Sequence, residues 1–156
     1  DIGVSWIERL NLLGIPMRNF VIEITESLLL GDKADVRDKL QRFRDVGMSI
    51  ALDDFGTGYS SMAYLKKFNI DFLKIDRSFV HDLEVDPNDR AIAEAIMVMA
   101  HKLGLKTIAE GVETEQQKAM LAEVGCDYVQ GYFYAKPMSV DAFMDYVKKQ
   151  HLIESA

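Results

Sequence analysis

The sequence predicts an α/β protein built on a parallel sheet. Short apolar runs rich in β-branched and aromatic residues alternate strictly with segments of helical periodicity, giving five strands. These strands are almost continuously apolar, as expected when helices cover both faces of a sheet. Two architectures satisfy this pattern, a doubly wound open sheet and part of a (β/α)8 barrel.

Residues 5–14 read as the end of an amphipathic helix, stopped by Gly14 and Pro16. Phe20 to Glu26 reads as the first strand. Residues 33–46 read as a helix, with Val36, Leu40, Phe43 and Val46 on one stripe and Gly47 placed to end it. The second strand runs through Ile50, Ala51 and Leu52 to end at Asp53. A short helix at 60–67 leads into a third strand, Ile70 to Asp76. Residues 77–88 form a connection with one helical turn and a breaker at Asp86-Pro87. Residues 89–103 make a strong helix with Ile92, Ile96, Met99 and Leu103 on one face. Leu105 to Glu110 is the fourth strand. Thr114 and Gln117 form a capping-box signature for a helix that runs to Gly125. Asp127 to Tyr134 is the last strand, and Ser139 caps a final amphipathic helix carrying Val140, Phe143 and Val147.

With 156 residues, the chain is long enough for one domain with a real core. No apolar run is long enough to span a membrane, and no signal sequence opens the chain. This segment is therefore expected to make no direct membrane contact. The single cysteine, Cys126, makes no internal disulfide and no Cys cluster, and fits a reducing compartment. A cytoplasmic domain is expected, in a parent that is either free or membrane-tethered. The formal charge is −7 and the basic residues form no stripe, which argues against a long nucleic acid as partner. An anionic substrate would need metal ions, local Lys or Arg, or backbone amides. No Gly-x-Gly-x-x-Gly joins a strand to a helix, so dinucleotide binding of that kind has little support.

The chemistry-bearing residues collect near the carboxyl ends of successive strands: Glu23 and Glu26, Asp53 and Asp54, Lys74 and Asp76, Glu110 and Glu113, and Gln130. Each has a plainer structural role available, as an edge residue, a surface lysine, a helix cap or a partner for backbone groups. Their recurrence on five successive strands is what points to a site. In a parallel barrel those ends share one face, where barrel enzymes keep their active sites. His81, His101 and His151 all fall in helices or connections. A site of carboxylates without His or Cys suits Mg²⁺ or Mn²⁺. Adjacent carboxylates such as Asp53 and Asp54 repel unless a cation sits between them. Two such ions clamp a phosphodiester and lower the pKa of a bound water.

Glu23-Ile-Thr-Glu26-Ser, Asp53-Asp-Phe-Gly-Thr-Gly-Tyr-Ser-Ser61, Phe72-Leu-Lys-Ile-Asp76, Ala109-Glu-Gly-Val-Glu113 and Gln130-Gly-Tyr-Phe-Tyr-Ala-Lys-Pro137 occur in this order. Together they resemble the EAL-type cyclic di-GMP phosphodiesterases of bacteria, over nearly the whole chain. The resemblance implies a (β/α)8 TIM-barrel-like domain whose first strand is antiparallel, with about five C-terminal βα units present here. It implies hydrolysis of cyclic di-GMP to linear pGpG with two Mg²⁺ or Mn²⁺ ions. Residue by residue, Glu23 resembles a ligand of the first metal, Asp53 the bridging ligand, and Asp54 and Glu110 ligands of the second. Glu110 also resembles a general base, Lys74 the lysine that holds the attacking water, and Gln130 a residue bonded to metal-bound water. Glu113 resembles a further site residue. Glu26 resembles the anchor of loop 54–61, a loop that includes Gly56, Thr57 and Gly58 and is tied in the family to homodimerisation. Asp76 and Pro137 belong to the matching motifs as support for substrate or loop.

The Glu-Ala-Leu signature and the strand with a metal-binding Asn do not occur in this sequence. The expectation is a single EAL-type domain over 1–156, truncated at its N-terminus by roughly 90–100 residues and inactive in isolation. Its parent is expected to carry sensory or GGDEF-type domains. Two other readings compete. One is a catalytically lapsed module that only binds cyclic di-GMP. The other is a Mg²⁺-dependent barrel enzyme that abstracts a proton, with Lys74 as base.

Overall fold

The computed structural model describes residues 2–29, 34–56, 65 and 68–154. Helix α1 (Ile2–Leu12) and a 3-10 turn at Met17–Asn19 lead into β1 (Val21–Thr25), α2 (Glu26–Leu29) and α3 (Ala34–Asp45). Strands β2 (Ser49–Phe55) and β3 (Phe72–Ile75) follow, then α4 (Arg77–His81), α5 (Pro87–Lys102), β4 (Lys106–Glu110), α6 (Glu115–Glu123), β5 (Tyr128–Gln130) and α7 (Val140–Glu154).

The five strands form one parallel sheet in the order β1-β2-β3-β4-β5. Each new strand is added on the same side of the last. A doubly wound sheet reverses direction at a switch point. Monotonic order is the winding of a β/α barrel, so the structure decides between the two architectures.

The core lies between sheet and helices. Ile50, Leu52, Leu73, Ile75 and Ala109 from the strands are buried against Leu40, Ala93, Ile96, Met97, Ala100 and Leu121 from the helices. Each large aliphatic side chain there contributes roughly 1.5–3 kcal/mol. Side chains alternate across a strand, so Phe72 and Lys74 share the sheet's other face. There the Phe72 ring meets Tyr128 edge-on at 5.9 Å. Among the described residues no helix is long and apolar enough to cross a membrane.

Several expectations need correction. β2 does not stop at Asp53 but runs to Phe55. The break expected at Asp86-Pro87 is also the start of α5, two residues before the expected 89: Asp86 is extended, its side chain accepts from Asn88 N at 2.7 Å, and Pro87 opens the helix. A proline at the first helical position forfeits no intrahelical bond. β3 is shorter than expected, and β5 ends at Gln130. The aromatic run 132–134 forms turns, because Phe133 N turns back to Val112 O at 3.0 Å. The final helix exists, but Val140 and Phe143 are exposed. The capping box at Thr114 and Gln117 is present in full. The helix expected at 60–67 lies almost wholly outside the described residues.

Candidate active site at the carboxyl ends of the strands

Lys74 is the centre. It extends from β3, and its side chain is only 3% exposed. Its ammonium lies 2.9 Å from Glu23 Oε2 on β1, 3.1 Å from Asp53 Oδ1 on β2 and 2.7 Å from Glu110 Oε1 on β4. Four strands thus meet at one nitrogen. An ammonium has three N–H donors, and here three carboxylates take them. Burial works against the charge of Lys74. Hydrogen bonds to Glu110, Glu23 and Asp53 outweigh it, so the ammonium stays charged well above the ordinary lysine range.

A bulge shapes the adjacent Asp pair. Leu52 pairs with Leu73 and Phe55 with Ile75, so β2 carries one residue more than β3 across this stretch. Bulges re-aim side chains and often lie beside active sites. Asp54 adopts φ 55°, in the left-handed region, and its N–H donates to Asp53 Oδ1 at 3.1 Å. Asp tolerates this conformation better than most side chains. Asp53 therefore faces Lys74, while Asp54 is exposed on the rim beside Gly56.

The remaining residues spread around this centre. Glu26 opens α2 directly after β1 and is half-buried. Asp76 caps α4, accepting from Ser78 N at 2.9 Å. Burial opposes the charge of its carboxylate, but bonds from Ser78 and Arg77 hold its pKa below the usual value. Glu110 and Gln130 are register partners on β4 and β5. They line a cleft of about 620 Å³ together with Glu113, Arg77 and Tyr132. Glu113 is set by its N–H, which donates to Gln117 Oε1 at 2.7 Å. Pro137 lies farther along, on a second groove beside Tyr134. Thr57 and Gly58 lie outside the described residues.

Two glycines that the sequence reading passed over hold this rim together. A Cβ on Gly131 would stand 2.1 Å from Val112 O, and one on Gly111 would stand 2.7 Å from Arg77 Cβ. Gly111 also has φ 73°. The Gly131 contact lets Val112 N bond Gln130 O at 3.1 Å, which extends the β4–β5 pairing past Glu110. Both glycines lie inside quoted motifs, where their position between chemical residues was the available signal.

Among the described residues no group of three His, Cys, Asp or Glu is arranged to hold a metal ion directly. The donor chemistry nonetheless fits a hard divalent cation. Glu23, Asp53 and Glu110 offer only oxygen and already gather around one cation, the Lys74 ammonium.

Comparison with known proteins points the same way. A family model described as the EAL domain matches residues 4–137. The cyclic di-GMP phosphodiesterase NbdA of Pseudomonas aeruginosa is 46% identical over 127 residues, which is 81% of this chain and 16% of NbdA. The crystal structure of the EAL domain of Mycobacterium smegmatis DcpA superposes with a TM-score of 0.87 at 38% identity, over 94% of this chain and 66% of that one. A manganese and cyclic di-GMP complex of Klebsiella pneumoniae BlrP1 does so with a TM-score of 0.77 at 32% identity, over 86% of this chain and 34% of that one. The chain thus spans about a sixth of NbdA and about a third of the BlrP1 chain.

Proposed function

The chain belongs to the EAL domain family, and on that premise we propose that it forms part of a phosphodiesterase that opens cyclic di-GMP to linear pGpG. One observation carries the reading. Carboxylates from β1, β2 and β4 converge on a buried lysine from β3, all within 3.1 Å of its nitrogen.

Glu23, Asp53, Asp54 and Glu110 are the residues that would hold two divalent ions, Mg²⁺ or Mn²⁺. When bound, such ions neutralise phosphate charge and make water acidic enough to attack at neutral pH. The manganese complex of BlrP1 supports this ion class. The protein's own groups do the rest. Glu110 takes the proton of the attacking water. Water oxygen bonds to phosphorus, the P–O3′ bond breaks, the departing O3′ takes a proton from solvent to become a hydroxyl, and the linear dinucleotide keeps its 5′-phosphate. Lys74 turns one N–H from a carboxylate toward that water and toward the charge that develops on phosphorus, a donor role of the kind that lowers barriers most. Gln130 supplies an amide to orient the same water, and Glu113 and Tyr132 border the cleft that admits substrate.

We assign Glu26 the loop-anchoring role that the resemblance gives it, and propose the segment 54–61 as the homodimer contact. Asp76 fixes α4, and with it the wall carrying Arg77. An accompanying GGDEF-type domain fits a relative named as a bifunctional diguanylate cyclase and cyclic di-GMP phosphodiesterase, MucR.

The test is to incubate the full-length protein with cyclic di-GMP and Mg²⁺ or Mn²⁺ and to follow pGpG by ion-exchange chromatography. Release of pGpG that stops on chelation supports the reading. Tight binding without turnover would make the domain a receptor, and no reaction or binding would remove cyclic di-GMP from it.

A further inference from the structure

Two aspartates at the opposite end of the strands have no part in this chemistry. Asp71 stands one residue before β3. Its N–H donates to Ile50 O at 2.9 Å, and its Oδ2 accepts from Ile50 N at 2.8 Å. Its carbonyl accepts from Lys106 N, at the foot of β4, at 3.0 Å. Arg44, in the last turn of α3, donates to the same Oδ2 at 2.9 Å and also to Asn69 O.

Asp127 stands one residue before β5 and repeats the construction. Its Oδ2 accepts from Thr107 N at 2.8 Å and from Thr107 Oγ1 at 3.0 Å. His101, in the last turn of α5, meets the same oxygen through Nε2 at 2.8 Å. Each clamp therefore has three parts: a basic residue ending a helix, the second residue of the next strand, and an aspartate just before the strand after that.

Three residues above each clamp lies the site. Ile50 leads to Asp53 and Asp71 to Lys74; Thr107 leads to Glu110 and Asp127 to Gln130. Between clamp and site the β4–β5 ladder runs in matching steps, Ile108 with Tyr128 and Glu110 with Gln130, and the β2–β3 ladder does so through Ala51 with Phe72 and Leu52 with Leu73, above which the bulge presents Asp53. A slip of one residue turns every side chain of a strand to the other face. In β3 the apolar residues alone do not set the register, because Phe72 is apolar on one face and Leu73 and Ile75 on the other, and only Lys74 breaks the pattern. Parallel strands also lack a tight turn to fix their pairing.

We propose that Asp71 and Asp127 are positioning residues of the active site. They set the register of β3 on β2 and of β5 on β4, and so hold Lys74 against Asp53 and Gln130 beside Glu110. The proposal rests on the phosphodiesterase reading of that cluster.

Asp71→Ala and Asp71→Asn in the full-length protein test it, since asparagine keeps an oxygen able to accept from Ile50 N. A misplacement of about 1 Å costs on the order of 10²-fold in rate. Asp71→Ala should lower kcat by about that factor with KM within about twofold, and should shift the NMR signal of the Lys74 ammonium. Asp71→Asn should restore both. A folded Asp71→Ala with a lower melting temperature but parent-like kcat and an unmoved Lys74 signal would overturn the proposal. If the unsubstituted protein hydrolyses no cyclic dinucleotide, the phosphodiesterase reading falls and the Lys74 signal alone decides the clamp. If Asp71→Ala does not fold, Asp127→Ala and Asp127→Asn replace it, read by kcat and by the Gln130 side-chain amide signal. Failure of both alanine variants to fold would make the aspartates folding determinants, and the proposal would be withdrawn.

Discussion

The two ends of the same strands use the same residue types to opposite effect. At the foot, Asp71 meets the Arg44 guanidinium and Asp127 the His101 ring, each with at least one backbone N–H besides, so their oxygens are partnered and fixed. At the carboxyl end, three carboxylates share the single ammonium of Lys74. The foot is electrostatically finished, and the top is left with an excess of negative charge. A protein built only for stability would match both ends. The unmatched end is where the proposed cations, and then an anionic substrate, would be taken up, and the proposed clamps below would hold it in shape.

The largest effect should come from breaking the top. Asp53→Asn is expected to abolish pGpG release by the full-length protein, since a neutral amide binds hard cations poorly. Its melting temperature should hold or rise, because one of three crowded carboxylates loses its charge. Parent-like turnover in Mg²⁺ would show that Asp53 is not part of the reacting set.

Lys74→Met is expected to lower kcat by roughly 10²–10³-fold. Titration calorimetry should show Mn²⁺ affinity unchanged or higher, since a competing cation is gone. Without metal, the variant should melt earlier, since three carboxylates lose their shared partner. The sign with pH follows from the raised pKa of the folded state. The contribution of Lys74 is complete below the unfolded lysine value of about 10.4 and fades as pH climbs through the folded one. Lost Mn²⁺ binding with near-normal kcat would reverse the role assigned to this residue.

Gly131→Ala tests the seam between the ends. The new Cβ would meet backbone rather than a yielding side chain. Destabilisation of about 1–3 kcal/mol is expected from overpacking, read by urea unfolding, together with weaker turnover as Gln130 shifts. An unchanged unfolding midpoint would mean that the Val112 crossing opens freely.

The smallest effect should appear at the foot, in acid. The Asp127 carboxylate is held below its usual pKa: burial opposes its charge, but bonds from Thr107 and His101 outweigh that. Its stabilisation is present above the unfolded value of about 3.9 and is lost as pH falls through the lower folded value. Asp127→Asn should therefore flatten the fall in melting temperature below about pH 4. A variant that follows the parent curve at every pH would exclude this linkage.

The top of the sheet was legible in sequence because its residues are out of place there. A Glu inside Val21–Thr25 or a Lys inside Phe72–Ile75 interrupts an apolar strand and asks for a reason. The foot was not legible. An aspartate just before a strand looks like any turn residue, and nothing local says that Asp127 reaches back to the N–H of Thr107. The bulge at Asp53 and Asp54 was hidden because it exists only relative to β3. The aromatic run after Gln130 has strand composition, yet Gly131 packs on Val112 and the chain turns. The capping box of α6 was readable because all its partners lie within four residues.

Asp54 carries a tension that a laboratory selection would expose. With φ at 55°, its backbone would be more at ease as glycine. Screening a library for heat tolerance alone should therefore drift toward Gly or Asn at 54, trading a proposed metal-binding carboxylate for an easier backbone. Survivors of such a screen would be sturdier and silent. The ease of that drift would measure how much resilience the lineage forgoes, generation after generation, to keep a second carboxylate beside the first.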